Sequence, residues 1–149
     1  MASFRIEVPD AELVDLRERL GRSRWPTAVE GAGRDGGTDI DYLRQLAGYR
    51  RDEFDWRARE AELNTLPQVR VEVDGFGVHA VHQRSQDEDA GALLLLHGWP
   101  DSFLRYRKVL PLLGDFHLVV PSLSGYGFSD KPTRPGFSSE RFADTRNRS

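Results

Sequence analysis

The sequence of 149 residues contains no cysteine, which excludes a disulfide framework, a thiolate metal site and a cysteine nucleophile. Lysine is almost absent as well: apart from Lys108 and Lys131, the 21 basic residues are arginines, scattered along the chain among 24 acidic residues. The resulting net charge of -3 comes without the clustered basic excess that nucleic-acid-binding proteins usually carry. We therefore expect no nucleic-acid partner.

Long hydrophobic runs are also missing. The longest aliphatic run, residues 92–96, is much shorter than the roughly 20 residues that a membrane-spanning helix needs. The first ten residues lack the apolar core of a secretory signal peptide. These features predict a cytoplasmic protein without a membrane segment. With hydrophobic residues at 38% and charged residues at 30%, the chain has the composition of a folded domain with a modest core.

The first half of the sequence has the apolar spacing of helices. Leucines recur at three- and four-residue intervals after Asp10, which is a helix-capping residue type. Four glycines among residues 30–37 then predict a loop. Thr38 and Asp41 resemble a capping box at the start of a second helix. A third helix is predicted over residues 52–63, where the many charged residues should form a solvated face.

The second half changes to the pattern of strands. Valines alternate with charged residues over 69–73, which predicts a strand buried on one face and, after a glycine-containing turn, a hairpin with residues 78–81. Residues 92–96 are continuously apolar, as in a strand covered by helices on both faces, and we expect them at the centre of the core. A helix over 102–113 and a strand over 116–121 complete a right-handed strand, helix, strand unit, so the predicted class is α/β.

The most informative segment is His97-Gly98-Trp99-Pro100, directly after the apolar strand. Ligands of open α/β sheets bind beyond the carboxyl ends of the strands. Gly98 permits close approach of the backbone and Pro100 restricts the turn, so the N–H of Trp99 can point into the crevice without a partner. A fixed, unpaired N–H is what an oxyanion hole requires. The alternative is that His97 and Gly98 simply end a strand and Trp99 packs in the core.

A second loop, residues 121–130, also follows a predicted buried strand. Its glycines match neither a dinucleotide fingerprint nor a phosphate-binding loop, so the motif carries weight only through its position beside the first loop. Asp101 and Asp130 are expected to cap turns rather than to act as bases. His79 and His82 have no ligand spacing, and we expect neither a metal site nor a cofactor.

Seven short motifs occur in order between residues 4 and 144. They are residues 4–8, Leu13-x-x-Leu16-x-x-x-Leu20, Arg24-Trp25-Pro26, Phe54-Asp55-Trp56-Arg57 with Glu60, Leu63-Asn64-x-x-Pro67-Gln68, His97-Gly98-Trp99-Pro100 and Gly125-Tyr126-Gly127-Phe128-Ser129. Together they resemble the N-terminal part of the microsomal-type epoxide hydrolases. The motifs near Trp25 and Asn64 are not general features of α/β hydrolases, which makes the resemblance specific.

The resemblance implies an α/β fold with two parts. An N-terminal helical meander, residues 1–68, would precede the first half of an α/β-hydrolase sheet, residues 69–149 with four strands, and that sheet would be incomplete. In this family an aspartate on a Gly-x-Asp-x-Gly elbow opens the epoxide to an ester intermediate. A histidine with an acidic partner then drives water onto the ester, and the product is a vicinal diol.

Carried over to this sequence, the resemblance assigns one catalytic group. Trp99 would donate an oxyanion N–H during ester hydrolysis, and His97, Gly98 and Pro100 would position it. The implied substrate is a small-molecule epoxide, with no cofactor and no metal. Ring opening would rely on tyrosines of a cap that this sequence does not reach.

Several features depart from the family. We expect no Gly-x-Asp-x-Gly or Gly-x-Ser-x-Gly nucleophile elbow anywhere in the sequence, so the nucleophile, the acid and the catalytic histidine are missing and the chain alone should be inactive. Arg50 stands where the family has a tryptophan, and residues 31–37 lack another, which weakens the packing of the meander. Residues 144–149 are out of register with the family pattern, as in a truncation or frameshift product.

Two alternatives stay open. One is a fragment of another α/β hydrolase, such as a dehalogenase or an esterase, although the meander motifs favour an epoxide hydrolase. The other is a non-catalytic interaction module. In the family's strand order, the strand ending at Leu96 lies between the strand ending at Val120 and the nucleophile strand, so here it would be a free apolar edge. Such edges pair or aggregate, and we expect marginal stability and self-association through this edge.

Overall fold

A computed structural model describes residues 2–27, 29, 31, 33–73 and 75–133. The chain divides into two compact units, residues 6–61 and residues 1–5 together with 62–149. The expected division at residue 68 stays a prediction. The residues interpreted as an out-of-register tail, 144–149, lie outside the described part of the chain.

The helical unit is built on three helices, and a side-chain hydrogen bond marks the start of the second and of the third. They are α1 (Asp10–Gly21), α2 (Ile40–Asp52) and α3 (Trp56–Leu63). Asp39, rather than Thr38, caps α2 by accepting a hydrogen bond of 2.8 Å from the N–H of Tyr42. Asp55 accepts a bond of 3.0 Å from the N–H of Ala58, which explains why α3 begins at residue 56 and not at residue 52 as predicted.

Asp10 does not cap α1 as expected. Pro9 occupies the N-cap position, and Asp10 is the first residue of the helix. Its carboxylate instead forms an ion pair with Arg57. A carboxylate in the first turn still suits the positive end of the helix dipole, so the residue type agrees with its position although its role differs.

Glu60 is the exception to the solvated face predicted for residues 52–63. Only 8% of its surface is exposed, and its carboxylate accepts hydrogen bonds from the N–H of Val8 at 2.7 Å, from Trp56 Nε1 at 3.2 Å and from Arg57 at 2.5 Å. The Val8 N–H is the largest cause that holds the pKa of Glu60 below its ordinary value. The expectation was wrong here because the charge of Glu60 is satisfied inside the helical unit rather than by water.

The sheet unit confirms the α/β prediction, with a five-stranded mixed sheet. Its strands are β1 (Ala2–Ser3), β2 (Gln68–Val73), β3 (Phe76–Gln83), β4 (Ala92–Leu94) and β5 (His117–Pro121). They run in the order β1, β2, β3, β5, β4, and in the described part of the chain only β4 and β5 pair in parallel. The hairpin of β2 and β3 appears as predicted, since apolar and polar residues alternate along β2.

The centre of the core lies on β3 and β5, not on the apolar run at residues 92–96. Val81, Leu118 and Val120 are fully buried. On β4, by contrast, Leu94 keeps 47% of its surface exposed, and the neighbouring Leu96 is also exposed. Among the described residues β4 pairs with β5 alone, so its other edge is free. The apolar composition was read correctly as a strand, but its central position was wrong because that edge has no neighbouring strand.

The helix predicted over residues 102–113 is replaced by two short 3₁₀ helices, Phe103–Tyr106 and Leu110–Leu113. Pro111 explains the interruption, because it has no N–H to donate to the carbonyl four residues earlier and its ring crowds that carbonyl. The inward spacing survives in part, since Phe103 and Leu110 are buried.

Candidate functional site

Two loops leave the carboxyl ends of β4 and β5, the parallel pair of the sheet. The first carries residues 97–102 and the second residues 122–130. This is the edge at which α/β sheets hold their ligands.

The Gly98 to Trp99 peptide is held in one orientation. The carbonyl of Gly98 accepts hydrogen bonds from His97 Nδ1 at 3.1 Å and from the N–H of Asp101 at 2.9 Å. In a trans peptide the carbonyl and the N–H point in opposite directions, so these two bonds also aim the N–H of Trp99. Within the described residues this N–H has no hydrogen-bond acceptor. The peptide can therefore present a fixed donor to a ligand.

The indole of Trp99 lies outside the core. Its residue surface is 83% exposed, so the alternative that Trp99 packs in the core is wrong. The bond from Trp99 to Pro100 is cis. Trp99 therefore offers its backbone N–H to a ligand, and its side chain does not pack in the core.

His97 links the first loop to the second. The residue is 4% exposed, and its Nε2 accepts a hydrogen bond of 3.1 Å from the N–H of Leu123. Because Nε2 is an acceptor and Nδ1 contacts the Gly98 carbonyl, the ring must carry its proton on Nδ1. Its ring also packs edge-to-face on Tyr126, with 5.3 Å between ring centroids. The same side chain therefore fixes the Gly98 carbonyl and the start of the second loop.

Asp101 closes the first loop. One oxygen of its carboxylate accepts a hydrogen bond of 2.8 Å from the N–H of Ser102, and the other forms an ion pair with Arg105. The Ser102 N–H is the main reason that the pKa of Asp101 lies below its ordinary value. The carboxylate of Asp101 is thus held by two donors and is not arranged as a base, whereas the N-cap of the 3₁₀ helix that follows is Ser102.

Asp130 does not cap a turn as expected, because its carboxylate binds the hairpin of β2 and β3 rather than an N–H of its own loop. Its carboxylate accepts from the N–H of Gly77 at 2.7 Å and pairs with Arg70 at 2.5 Å, while its own N–H donates to the Gly77 carbonyl at 2.9 Å. The Gly77 N–H, followed by Arg70, lowers the pKa of Asp130. The second loop is therefore tied to β2 and β3 at its far end.

A buried polar cluster beneath the second loop was missed by sequence reasoning. His79 Nδ1 lies 2.8 Å from Ser122 Oγ, and His79 Nε2 lies 2.9 Å from Gln68 Oε1. The hydroxyl of Ser129 donates to the Ser122 carbonyl at 2.7 Å and accepts from the N–H of His79 at 3.0 Å. Burial, with a smaller effect of Arg70, lowers the pKa of His79 to about 4. Its members lie at the start of β2, within β3 and in the second loop, so no local pattern in the sequence signalled them.

The cluster is closed to solvent. His79 and Ser122 are fully buried, so the serine cannot reach a substrate. Among the residues that the structure describes, no group of three potential ligands could bind a metal ion. The expectation that His79 is a strand histidine agrees with its place on β3, although its bonding is more extensive than expected.

One literal match to the nucleophile motif exists outside the sheet. Residues 33–37 read Gly-Arg-Asp-Gly-Gly and so have the spelling of Gly-x-Asp-x-Gly. They lie in the loop before α2, with Asp35 exposed, and not at a turn from a strand to a helix. A nucleophile elbow needs that strand-to-helix turn, so Asp35 is not placed as one.

None of the described helices has the length and apolarity required to cross a membrane.

Family models match most of the chain. Residues 1–106 match the model of the epoxide hydrolase N terminus, and residues 91–147 match the model of the alpha/beta hydrolase fold. A putative epoxide hydrolase from Stigmatella aurantiaca is 42% identical over 94% of this chain, and epoxide hydrolase 1 from Oryctolagus cuniculus is 33% identical over 91%. The chain spans 34% and 33% of the length of these two relatives.

Solved structures agree with these matches. The structure of Aspergillus niger epoxide hydrolase aligns with a TM-score of 0.82 at 37% identity and covers 91% of this chain and 38% of its own. The juvenile hormone epoxide hydrolase of Bombyx mori aligns with a TM-score of 0.84 at 28% identity and covers 98% of this chain and 37% of its own.

Proposed function

Because this chain belongs to the epoxide hydrolase N-terminus family, we propose that it is the N-terminal portion of an enzyme that adds water to an epoxide to form a vicinal diol. The substrate is a small-molecule epoxide, and the reaction needs no cofactor. The chain contributes the oxyanion loop, residues 97–100. The observation that carries the proposal is the Gly98 to Trp99 peptide, whose N–H is aimed and unpaired among the described residues.

The chemistry follows from where charge develops. In the family an aspartate attacks one epoxide carbon, the carbon to oxygen bond breaks, and an ester of the aspartate forms. Water then adds to the ester carbonyl, whose oxygen becomes negative until the ester bond breaks and the diol leaves. The N–H of Trp99 donates to that oxygen, and one such donor typically accelerates the step by about 100- to 1,000-fold.

His97, Gly98 and Pro100 position this donor without touching the substrate. His97 holds the Gly98 carbonyl, and Gly98 leaves open space where a side chain would otherwise stand. Pro100 follows the donor through a cis bond. The nucleophile, the general acid and the catalytic histidine belong to residues outside this sequence.

Three further features complete the proposal. The chain by itself is catalytically inactive, since it carries no elbow aspartate in its sheet unit. The free edge of β4 leads to self-association. The protein resides in the cytoplasm.

A chimera tests the proposal. Residues 1–133 of this chain would replace the aligned segment of Aspergillus niger epoxide hydrolase, and diol formation from an aryl epoxide would be measured for the chimera and for the isolated chain. We expect turnover by the chimera and none by the isolated chain. A folded chimera that retains the host's elbow aspartate but forms no ester intermediate and no diol would contradict the proposal, as would diol formation by the isolated chain.

A further inference from the structure

The polar cluster beneath the second loop touches both ends of that loop. At its start, the N–H of Ser122 donates to the His79 carbonyl at 2.8 Å, and Ser122 Oγ lies 2.8 Å from His79 Nδ1. At its end, Ser129 Oγ accepts from the N–H of His79 at 3.0 Å and donates to the Ser122 carbonyl at 2.7 Å. A single residue of β3 therefore anchors the beginning and the end of residues 122–129.

The bonding partners determine the tautomer of His79. The amide nitrogen of Gln68 donates to the Leu63 carbonyl at 2.9 Å, so Gln68 Oε1 is the atom that faces the imidazole. An amide oxygen only accepts, and His79 must therefore carry its proton on Nε2. Nδ1 is then an acceptor, and the hydroxyl of Ser122 donates to it. This is the opposite tautomer to that of His97.

The ring is confined as well as bonded. Phe4, Phe103 and Phe128 pack around it edge-to-face, with centroid distances of 4.9, 5.0 and 5.4 Å. None of these three side chains titrates. Arg70 on β2 is the charged group that faces the ring, and its guanidinium is engaged by Asp130 and by the carbonyl of Phe128.

Ser122 is fully buried and packs closely against Gly127. Gly127 passes so close that a Cβ at that position would lie 3.1 Å from Ser122 Cβ and even closer to Oγ. The next residue after Ser122 is Leu123, whose N–H donates to His97 Nε2. A continuous series of contacts thus runs from His79 through Ser122 and Leu123 to His97, and from there to the Gly98 carbonyl.

We propose that His79 is a positioning residue for the Trp99 loop. Its ring, protonated on Nε2, fixes Ser122 and thereby the Leu123 N–H that holds His97 against the Gly98 carbonyl. Only the last link of this proposal, the use of the Trp99 N–H by a reaction, rests on the proposed function. The positioning itself can be measured on the full chain without substrate.

The test compares two alanine variants in the same loop. Ser122→Ala removes the hydroxyl that contacts His79, whereas Ser124→Ala removes a hydroxyl that has no hydrogen-bond partner among the described residues. Amide hydrogen exchange of Leu123 would be measured by NMR relative to Val81 and Val120 in the core. In Ser122→Ala we expect the exchange rate of the Leu123 amide to increase about tenfold more than the rates of the Val81 and Val120 amides. In Ser124→Ala we expect no such difference.

A second readout is the tautomer of His97, from the ¹⁵N shifts of its ring. In Ser122→Ala we expect the signal of the Nδ1–H tautomer to lose its dominance, because the Leu123 N–H no longer holds Nε2. If the exchange rates of all amides changed equally and the His97 spectrum did not change, the Ser122 hydroxyl would contribute only to overall stability. That result would overturn the proposal. If Ser122→Ala does not fold, the wild-type spectrum decides: His79 must show Nε2–H and His97 must show Nδ1–H, and the same tautomer on both would overturn it.

Discussion

Acidification should destabilise the sheet unit through His79. The ring is fully buried, and its pKa is lowered from 6.5 to about 4 by burial and by Arg70. The folded state therefore keeps the imidazole neutral in a range of pH where the unfolded chain binds a proton. The stabilisation is present above pH 6.5 and is lost as the pH falls from about 6.5 to about 4.

The magnitude follows from the two pKa values. With pKa values of 6.5 unfolded and about 4 folded, moving from pH 7.5 to pH 4.5 lowers the free energy of unfolding by about 2.5 kcal/mol through this one group. Carboxylates contribute little to the upper part of this range. The described carboxyl groups with resolved shifts have pKa values below their ordinary ones, and so titrate at lower pH.

Urea unfolding followed by far-ultraviolet circular dichroism at pH 7.5, 6.5, 5.5 and 4.5 measures this loss. His79→Asn removes the titrating group, and His82→Asn is the matched control, because His82 lies on the same strand and is only half-buried. We expect the wild-type chain and His82→Asn to lose about 2.5 kcal/mol over the range, and His79→Asn to lose less than half of that.

Two results would refute this reasoning. If His79→Asn showed the same dependence on pH as the wild-type chain, the destabilisation would come from other groups. If the wild-type chain lost less than about 0.5 kcal/mol between pH 7.5 and 4.5, the buried ring would accept a proton at little cost and its bonding would differ from that described.

Further expectations concern the loop, the helical unit and the sheet edge. Gly127→Ala should lower the free energy of unfolding by about 1 to 3 kcal/mol, because Gly127 has a φ of +50° and an added Cβ would clash with Ser122. Gly98→Ala is the control: its Cβ meets open space, and it should cost less than about 1 kcal/mol. Equal losses for the two variants in urea unfolding would contradict this. Glu60→Gln should weaken the dependence of the free energy of unfolding on pH below about pH 4.5. The lowered pKa of Glu60 stabilises the fold at higher pH, and this stabilisation is lost as the carboxylate is protonated. Unchanged acid unfolding would argue against the role of this carboxylate. Leu94→Lys on the free edge of β4 should shift sedimentation toward the monomer, and Leu112→Lys at an 80% exposed position away from that strand should not; association that persists in the first variant would exclude the edge as its cause.

The fold could be predicted where short-range patterns decide it. Alternating valines placed β2, and apolar spacing placed α1 and α2 near their observed bounds. The prediction of one helix over residues 102–113 was wrong because Pro111 disrupts an α-helix whose apolar spacing is otherwise suitable. Residues 92–96 were predicted at the centre of the core because a continuously apolar strand usually has neighbouring strands on both edges. The actual exposure depends on which neighbours are present, and among the described residues β4 pairs with β5 alone.

The candidate site divides in the same way. His97 and Trp99 could be found because a strand, a glycine and a proline are adjacent in sequence. The contact that holds the His97 ring could not, since it joins His97 to Leu123 across 26 residues. The cluster of Gln68, His79 and Ser122 likewise spans separations of 11 and 43 residues and depends on three strands meeting in register.

The most direct measurement concerns the Trp99 N–H itself. In the chimera with Aspergillus niger epoxide hydrolase, Trp99 would be replaced by its α-hydroxy acid, which changes the backbone N–H to an ester oxygen and keeps the indole. Single-turnover kinetics would separate formation of the covalent ester from its hydrolysis. We expect hydrolysis of the ester to slow by about 100- to 1,000-fold, with a much smaller effect on ester formation. Hydrolysis at the unmodified rate would contradict the assignment of Trp99 as the oxyanion donor.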